Sequence, residues 1–285
     1  MNRAFPIATV TAAIIAIWYL GAVFMNAAWE LDQAARAGAE ISFAEIIPRT
    51  MAQERPILPA PHQVAVELWD SVAEKKITSK RSLVHHGWIT LSATLLGFAF
   101  GTTLGVILAI AIVSSRVMDI SVMPWVIASQ MVPILAIAPM MIVVMNAADL
   151  DGIVAKASIS MYLSFFPVVV GMVKGLRSPD ALHLDLMRTY SASGAQGFLK
   201  LRLPASLPYL FTSMKVGVAA SLVGAIVAEM TLSQDGGLGA RLLNGSYYGQ
   251  TMMIWAALIA SAALAGGLIP LIGAVQKLAM RGRPA

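Results

Sequence analysis

Trp-Ile-Thr-Leu-Ser-Ala-Thr-Leu-Leu-Gly-Phe-Ala-Phe-Gly-Thr-Thr-Leu-Gly-Val-Ile-Leu-Ala-Ile-Ala-Ile-Val, residues 88–113, runs without a charged side chain. About 20 such residues, wound as a helix, cross a hydrocarbon core of roughly 30 Å. Gly97, Gly101 and Gly105 recur at every fourth position. This doubled G-x-x-x-G opens one helix face to the close approach of another backbone. The stretch predicts a transmembrane helix that packs within a bundle.

The rest of the chain has the same character. Of 285 residues, 58% are hydrophobic and only 12% charged, and the mean hydropathy is +0.75. A soluble domain ordinarily carries about a quarter of its residues as charges, so this chain could not cover a soluble surface. Spans are predicted at 7–28, 88–113, 120–146, 152–173, 206–230 and 251–276. The third is interrupted by Pro133 and Pro139, which break or kink it and free carbonyls that must face protein or a cavity. The fold class expected is all-α: a polytopic membrane helical bundle of about six transmembrane helices.

No cysteine is present, which excludes a disulfide framework and thiolate chemistry. The net charge of +5 fits basic residues retained on the cytoplasmic side better than a nucleic-acid partner. With a cytoplasmic N-terminus, the inside segments hold Arg3, Arg116, Lys174, Arg177, Arg188, Lys200, Arg202, Lys277, Arg281 and Arg283, while the short outside connections hold Arg241 alone. Both termini are therefore expected in the cytoplasm. Arg3 and the first apolar segment resemble a signal peptide, but the segment is long for one and lacks a small-x-small cleavage site before Glu30, which favours a retained helix. The organisation expected is an N-terminal transmembrane helix at 1–28, an outer loop at 29–87, a core at 88–277 and a cytoplasmic tail at 278–285.

Within the outer loop, Arg55-Pro-Ile-Leu-Pro-Ala-Pro61 predicts a rigid, extended stretch, because each proline fixes φ and biases its predecessor away from helix. Val64, Leu68 and Val72 then recur at helical spacing among Glu67, Asp70, Glu74 and Lys75. This reads either as an amphipathic helix on the membrane surface or the bundle, or as a solvated linker helix.

Residues 175–205, between the fourth and fifth spans, are polar. Ser178-Pro179-Asp180 supplies a hydroxyl cap, a proline for the first helical position and an acid near the positive dipole end. A helix is expected from there to Tyr190, interrupted by Ser191-Ala-Ser-Gly194, with a second short helix from Ala195 running into Pro204. From Asp185 to Pro204 the segment resembles the "EAA" signature of binding-protein-dependent ABC importer permeases, an acid followed by a glycine six residues on and a Leu-Pro thirteen after that. Asp185 takes the acid position, Ser191 the glycine, Phe198 the usual aromatic, and Leu203-Pro204 the end. Leu186 and Met187 stand where the family has alanines. Serine at the glycine position means either that the bend moves to Gly194 or that Ser191 takes a strained or different cap. Ile57-Leu-Pro-Ala-Pro61, residues 85–101, Val132 to Pro139, Phe165-Phe-Pro167, Gly175-Leu-Arg177, Leu207-Pro-Tyr209 and Gly237-Leu-Gly239 resemble further blocks of the branch that imports nitrate, sulfonates, bicarbonate, and pyrimidine-like precursors or riboflavin.

The resemblance implies a type I importer permease in a bacterial inner membrane, with both termini inside. The 178–204 segment would hold a coupling helix that docks on a separate ATPase, through Leu182, Asp185, Leu186, Arg188, Thr189, Tyr190 and Ser191, with Pro204 closing the motif. It implies two ABC ATPase subunits, a second permease copy or paralogue, and an extracytoplasmic solute-binding protein. No cofactor is expected on this chain, ATP and Mg being used by the partner ATPase. The cargo would be a small organic or inorganic anion or a pyrimidine-like heterocycle, and Leu186-Met-Arg188 and Gly245-Ser-Tyr-Tyr-Gly249 lean toward the latter.

Polar groups inside the spans are candidates for the translocation path, because burying them is expensive. Ser129, Gln130 and Pro133 lie at the predicted interruption, Tyr162 in the fourth span, and Glu229 near the outer end of the fifth. Glu229 either tethers an outer gate or sits at the interface. Lys156 is expected to snorkel to the interface, and Lys215 to pair or snorkel inward. No metal site is expected: the histidines lie outside the spans, and His85-His86 at the foot of a helix reads as interfacial. A phosphate-binding G-x-x-x-x-G-K-[ST] loop and an H-E-x-x-H helix are both lacking, which argues against an enzyme. A secondary transporter would show repeated halves, and none is evident.

Overall fold

The computed structural model describes residues 4–38, 41–150 and 152–281, and the regular structure of these residues is helical. Arg3 and Arg283, expected in the cytoplasm, lie outside the described residues. The chain divides into two compact units, one built from residues up to 86 with 241–260, the other from 87–240 with the chain from 261 onward.

The larger unit is organised on helix α7 (Gly152–Leu176), with α4 (Leu83–Ser114) and α10 (Leu203–Thr231) packed against it. Half of α7's most apolar stretch is buried within the protein, as is 44% of α10's. Small residues make this approach possible. A Cβ at Gly97 or Gly101 of α4 would overlap the Ser160 or Ser164 side chain of α7, and one at Gly105 would lie 2.8 Å from Val168 Cβ. On α10, a Cβ at Gly224 would fall 2.8 Å from Ser160 Cα. The expected G-x-x-x-G face of α4 therefore seats on α7, where helix association in lipid relies on close van der Waals packing. Ala109, Ile112, Phe165, Val169, Met172 and Leu176 form the main apolar cluster beside this seam.

The third predicted span is two helices, α5 (Arg116–Ser129) and α6 (Ile134–Ala147), bent by 104° at residues 130–133. Pro133 occupies the position preceding α6, where its missing N–H costs no helical bond, whereas Pro139 sits inside α6 without ending it. Asp119 of α5 pairs with Arg177 at 2.9 Å.

The smaller unit contains α1 (Ala4–Arg36), α2 (Phe43–Met51), α3 (Pro61–Trp69) and the start of α12 (Thr251–Ala279). Helix α1 runs past the predicted span end to Arg36, and α2 was not predicted. The proline stretch is extended and pinned. Buried Asn26 of α1 donates to the Leu58 carbonyl at 2.9 Å and accepts from the Ile57 and Leu58 amides at 2.8 and 3.2 Å. Trp18 Nε1 donates to the Pro59 carbonyl, and Thr251 Oγ1 to that of Pro56. These bonds satisfy backbone groups that the prolines prevent from pairing in a helix. Of the predicted stripe, Val64 is buried, while Val72 is exposed in a π-helical turn that follows α3; Ser71 takes the inward position and donates to Glu67 at 3.0 Å.

Candidate functional site

Helix α7 ends in the polar elbow. Ser178 does not cap the next helix. Its hydroxyl turns back to the Gly175 carbonyl at 2.8 Å, and Asp180 takes the N-cap position of α8 (Ala181–Thr189). None of α8's residues is buried. Leu184 and Met187 turn inward to a crevice of about 710 Å³ shared with Val113, Ala192, Phe198 and Arg202. On the other side Leu182, Leu186 and Tyr190 are 75%, 52% and 77% exposed. Spaced by four, these three form one apolar stripe. Beside it, Arg188 Nη1 bonds Asp185 Oδ1 at 2.9 Å, and the Thr189 hydroxyl donates to the Asp185 carbonyl.

The end of α8 explains the motif's spacing. Ala192 N–H bonds the Met187 carbonyl at 2.9 Å and Ser191 N–H bonds that of Arg188 at 2.8 Å, the two bonds of a Schellman motif. Its C′ residue must be left-handed, and this is Ser191, with φ +50°. The bend therefore stays at the family's glycine position, and the serine adopts the conformation that glycine takes without steric penalty. Ser193 then opens α9 (Gly194–Gly197) with a reciprocal cap, its Oγ accepting from Gln196 N and Gln196 Oε1 accepting from Ser193 N. Pro204 does not stop this helix. A π-helical turn at Phe198–Arg202 carries α9 into α10, with Leu203 N–H bonded to the Phe198 carbonyl, and Pro204 falls in α10's first turn.

In the apolar region the structure brings Ser129, Gln130 and Tyr162 together, with Pro133 at the N-cap of α6, just beyond Gln130 in sequence. The Tyr162 hydroxyl donates to the Ser129 carbonyl, one of the groups freed by the break between α5 and α6. Ser129 Oγ donates to the Val126 carbonyl at 2.8 Å and accepts from Gln130 Nε2 at 3.3 Å. Glu229 is not in this cluster. It is fully buried at the end of α10, where Oε2 accepts from Thr90 Oγ1 and Gly239 N, each at 2.9 Å. Thr90 Oγ1 in turn accepts from Leu238 N at 2.9 Å. Lys156 does not snorkel. Its ammonium is buried, donating to the Gly236 carbonyl at 3.2 Å and lying 3.8 Å from Asp235. Gly236 and Gly237 have φ of +76° and +115°, and a Cβ at Gly237 would overlap the Glu229 carboxylate. This knot ties the start of α4, the start of α7 and the end of α10 to the turn before α11 (Leu238–Tyr247). Thr90 was missed from sequence, where a lone threonine in an apolar run carries no signal; the Gly236-Gly237 pair was the available hint. Lys215 pairs with Gln276 at 2.7 Å, and His86 donates from Nε2 to the Lys80 carbonyl at 2.9 Å.

Residues 101–281 match the family described as binding-protein-dependent transport system inner membrane component. A probable ABC transporter permease protein of Haemophilus influenzae is 30% identical over 203 residues, 71% of this chain and 78% of that protein. The formylaminopyrimidine transport permease protein of Halalkalibacterium halodurans is 28% identical over 69% of this chain and 71% of its own length. The riboflavin transport system permease protein of Chloroflexus aurantiacus is 30% identical over 79% and 80%. With a matched stretch that takes in α5 to α12, and with these relatives, the chain belongs to the family of binding-protein-dependent transport system inner membrane components, the permease subunits of ABC importers.

Proposed function

We propose that this chain forms the translocation path for a small solute in an importer whose ATP hydrolysis occurs on separate ABC ATPase chains, and that α8 is where those chains act on it. The observation that carries the reading is the apolar stripe Leu182, Leu186 and Tyr190 on a helix that buries none of its own residues. A helix of nine residues, capped by the Schellman bonds at one end and followed by the Ser193–Gln196 box, is stiff enough to pass a push from a partner into α10. The charged pair Asp185–Arg188 flanks the stripe and suits polar contacts at a joint. In this reading the chain sits in the bacterial inner membrane with both termini cytoplasmic. A second copy or a paralogue completes the pore, and a solute-binding protein delivers cargo from outside. The chain holds no cofactor of its own, and ATP and Mg belong to the ATPase. Ser129, Gln130, Pro133, Tyr162 and Glu229 remain the path candidates. Two relatives are named for formylaminopyrimidine and riboflavin transport, which supports a nitrogen heterocycle as cargo over a simple anion.

The test is co-purification of the ATPase with the tagged permease, together with ATP-driven uptake in vesicles. Leu186→Asp and Tyr190→Asp should each abolish both while leaving the permease in the membrane. Assembly and uptake that survive both substitutions would remove α8 from the role. Competition of uptake by formylaminopyrimidine, riboflavin and nitrate sorts the cargo.

A further inference from the structure

The smaller unit carries a cleft of about 470 Å³ that none of the roles above uses. It is lined by Trp29 and Glu30 of α1, Arg49 of α2, and Gln53, Glu54 and Arg55 of the segment that follows. Two arginines and two glutamates share this cleft, yet among the described residues none of the four closes an ion pair within 4 Å. Glu30 is buried, and its Oε1 accepts from Gln53 Nε2 at 2.6 Å. A neutral donor leaves a buried carboxylate without the counter-charge that offsets its desolvation. Arg49 and Arg55 are exposed, and their guanidiniums meet no acceptor among the described residues. Helix α1 gives the depth of the cleft. Its apolar run, 7–28, ends where the cleft begins, at Trp29. Met25, one turn back on the same face, is exposed together with Trp29. Lipid covers such a face, and a tryptophan at its end sits at headgroup level.

We propose that this cleft binds the headgroup of a phosphatidylethanolamine, with the phosphate on Arg49 and Arg55 and the ammonium on Glu30 and Glu54. Guanidinium groups take phosphate oxygens through paired, charge-assisted bonds. A primary ammonium brings three N–H donors and the positive charge that buried Glu30 lacks. The four side chains sum to no net charge, as does this headgroup. A simple anion would meet the two carboxylates here, and a simple cation the two arginines, whereas a zwitterion satisfies both pairs at once. The same geometry gives the rest of the lipid a course, because its acyl chains leave the cleft along Trp29 and Met25. A soluble phosphoethanolamine carries the same charges, but the exposed apolar face beside the cleft gives it nothing to bind.

The test uses the full chain in detergent, with lipid binding read by native mass spectrometry. Phosphatidylglycerol offers the phosphate without the amine, and phosphatidylcholine an ammonium without N–H donors. The wild-type chain should hold phosphatidylethanolamine about ten-fold more tightly than either. Arg49→Gln combined with Arg55→Gln should weaken all three lipids about ten-fold. Glu30→Gln keeps the shape of the side chain and should bring phosphatidylethanolamine down to the level of phosphatidylglycerol while leaving phosphatidylglycerol unchanged. A folding defect would not remove one lipid and spare the other. Equal binding of the three lipids by the wild-type chain overturns the proposal without recourse to any variant. So does binding that survives loss of both arginines. Soluble phosphoethanolamine that displaces the lipid at equal concentration overturns the lipid as occupant and assigns the cleft to a soluble phosphate ester.

Discussion

Alanine at Gly105 places a methyl group 2.8 Å from Val168 Cβ and 2.9 Å from the Phe165 carbonyl oxygen. Ordinary carbon contacts lie near 3.5–4.0 Å, so α4 and α7 must separate by roughly 0.5–1 Å to admit it. Neither neighbour can yield locally, since one is helix backbone and the other the branch point of a fully buried valine. Overpacking of this kind costs about 1–3 kcal/mol. Alanine's helix advantage over glycine returns at most about 0.5–1 kcal/mol, and less where the unfolded chain keeps its helices in the membrane. The net expectation is a loss of about 1–2 kcal/mol. Gly266 of α12 supplies the control, because a Cβ there meets nothing within 4 Å. Gly266→Ala should be neutral or stabilising by up to about 1 kcal/mol. Unfolding of the purified chain by SDS titration in mixed micelles reads both values. Equal effects of the two substitutions, in either direction, would refute the claim that α4 is seated on α7 through its glycines.

Two further expectations follow from the site geometry. Ser191→Gly should relieve about 1 kcal/mol of left-handed strain, slowing hydrogen exchange at the amides of Ser191 and Ala192 about five-fold; unchanged exchange would mean that the serine bears no strain. Glu229→Leu takes the acceptor from Thr90 Oγ1 and Gly239 N and should cost about 3 kcal/mol or more, whereas Glu229→Gln keeps an acceptor oxygen and should cost about 1 kcal/mol. Equal losses in the two would show that charge, not the acceptor, holds the knot.

The helices and the elbow were legible from sequence because their signals are local. An uncharged run, a four-residue glycine period and an acid-to-Leu-Pro register each survive without knowledge of the neighbours. Even the choice left open at Ser191 was framed by a local rule, that a helix C′ residue is left-handed, and the structure decides it through φ +50°. What sequence concealed were pairings across long separations. Thr90 meets Glu229 and Leu238 only after α4 and α10 pack, and Asn26 meets Leu58 only after the proline stretch folds back on α1. Lys156 looked like a snorkelling lysine because its acceptor, the Gly236 carbonyl, is eighty residues distant. The short helix expected to run into Pro204 instead continues past it into α10, for a different reason. A π-helical turn lets the chain pass a proline without breaking, and composition does not announce such a turn.

Exposed apolar residues have two settings in this molecule, and separating them supports the role proposed for α8. On α1, Phe5, Ile7, Val10 and Ile14 are exposed, yet they belong to a stretch long and apolar enough to span a bilayer. Lipid covers such residues, and their exposure needs no further cause. Helix α8 offers no such account. Its stripe is interleaved with His183, Asp185 and Arg188, all exposed, and the helix is too short and too polar to enter hydrocarbon. Water does not favour Leu182, Leu186 and Tyr190 there, and the α8 residues that line the chain's own crevice are Leu184, Met187 and Arg188 instead. Single exposed apolar residues are ordinary, but three in register on a helix with no buried residue mark a surface made to be covered. With water and lipid set aside, the cover we propose for this stripe is protein, and one that tolerates the adjacent Asp185–Arg188 pair.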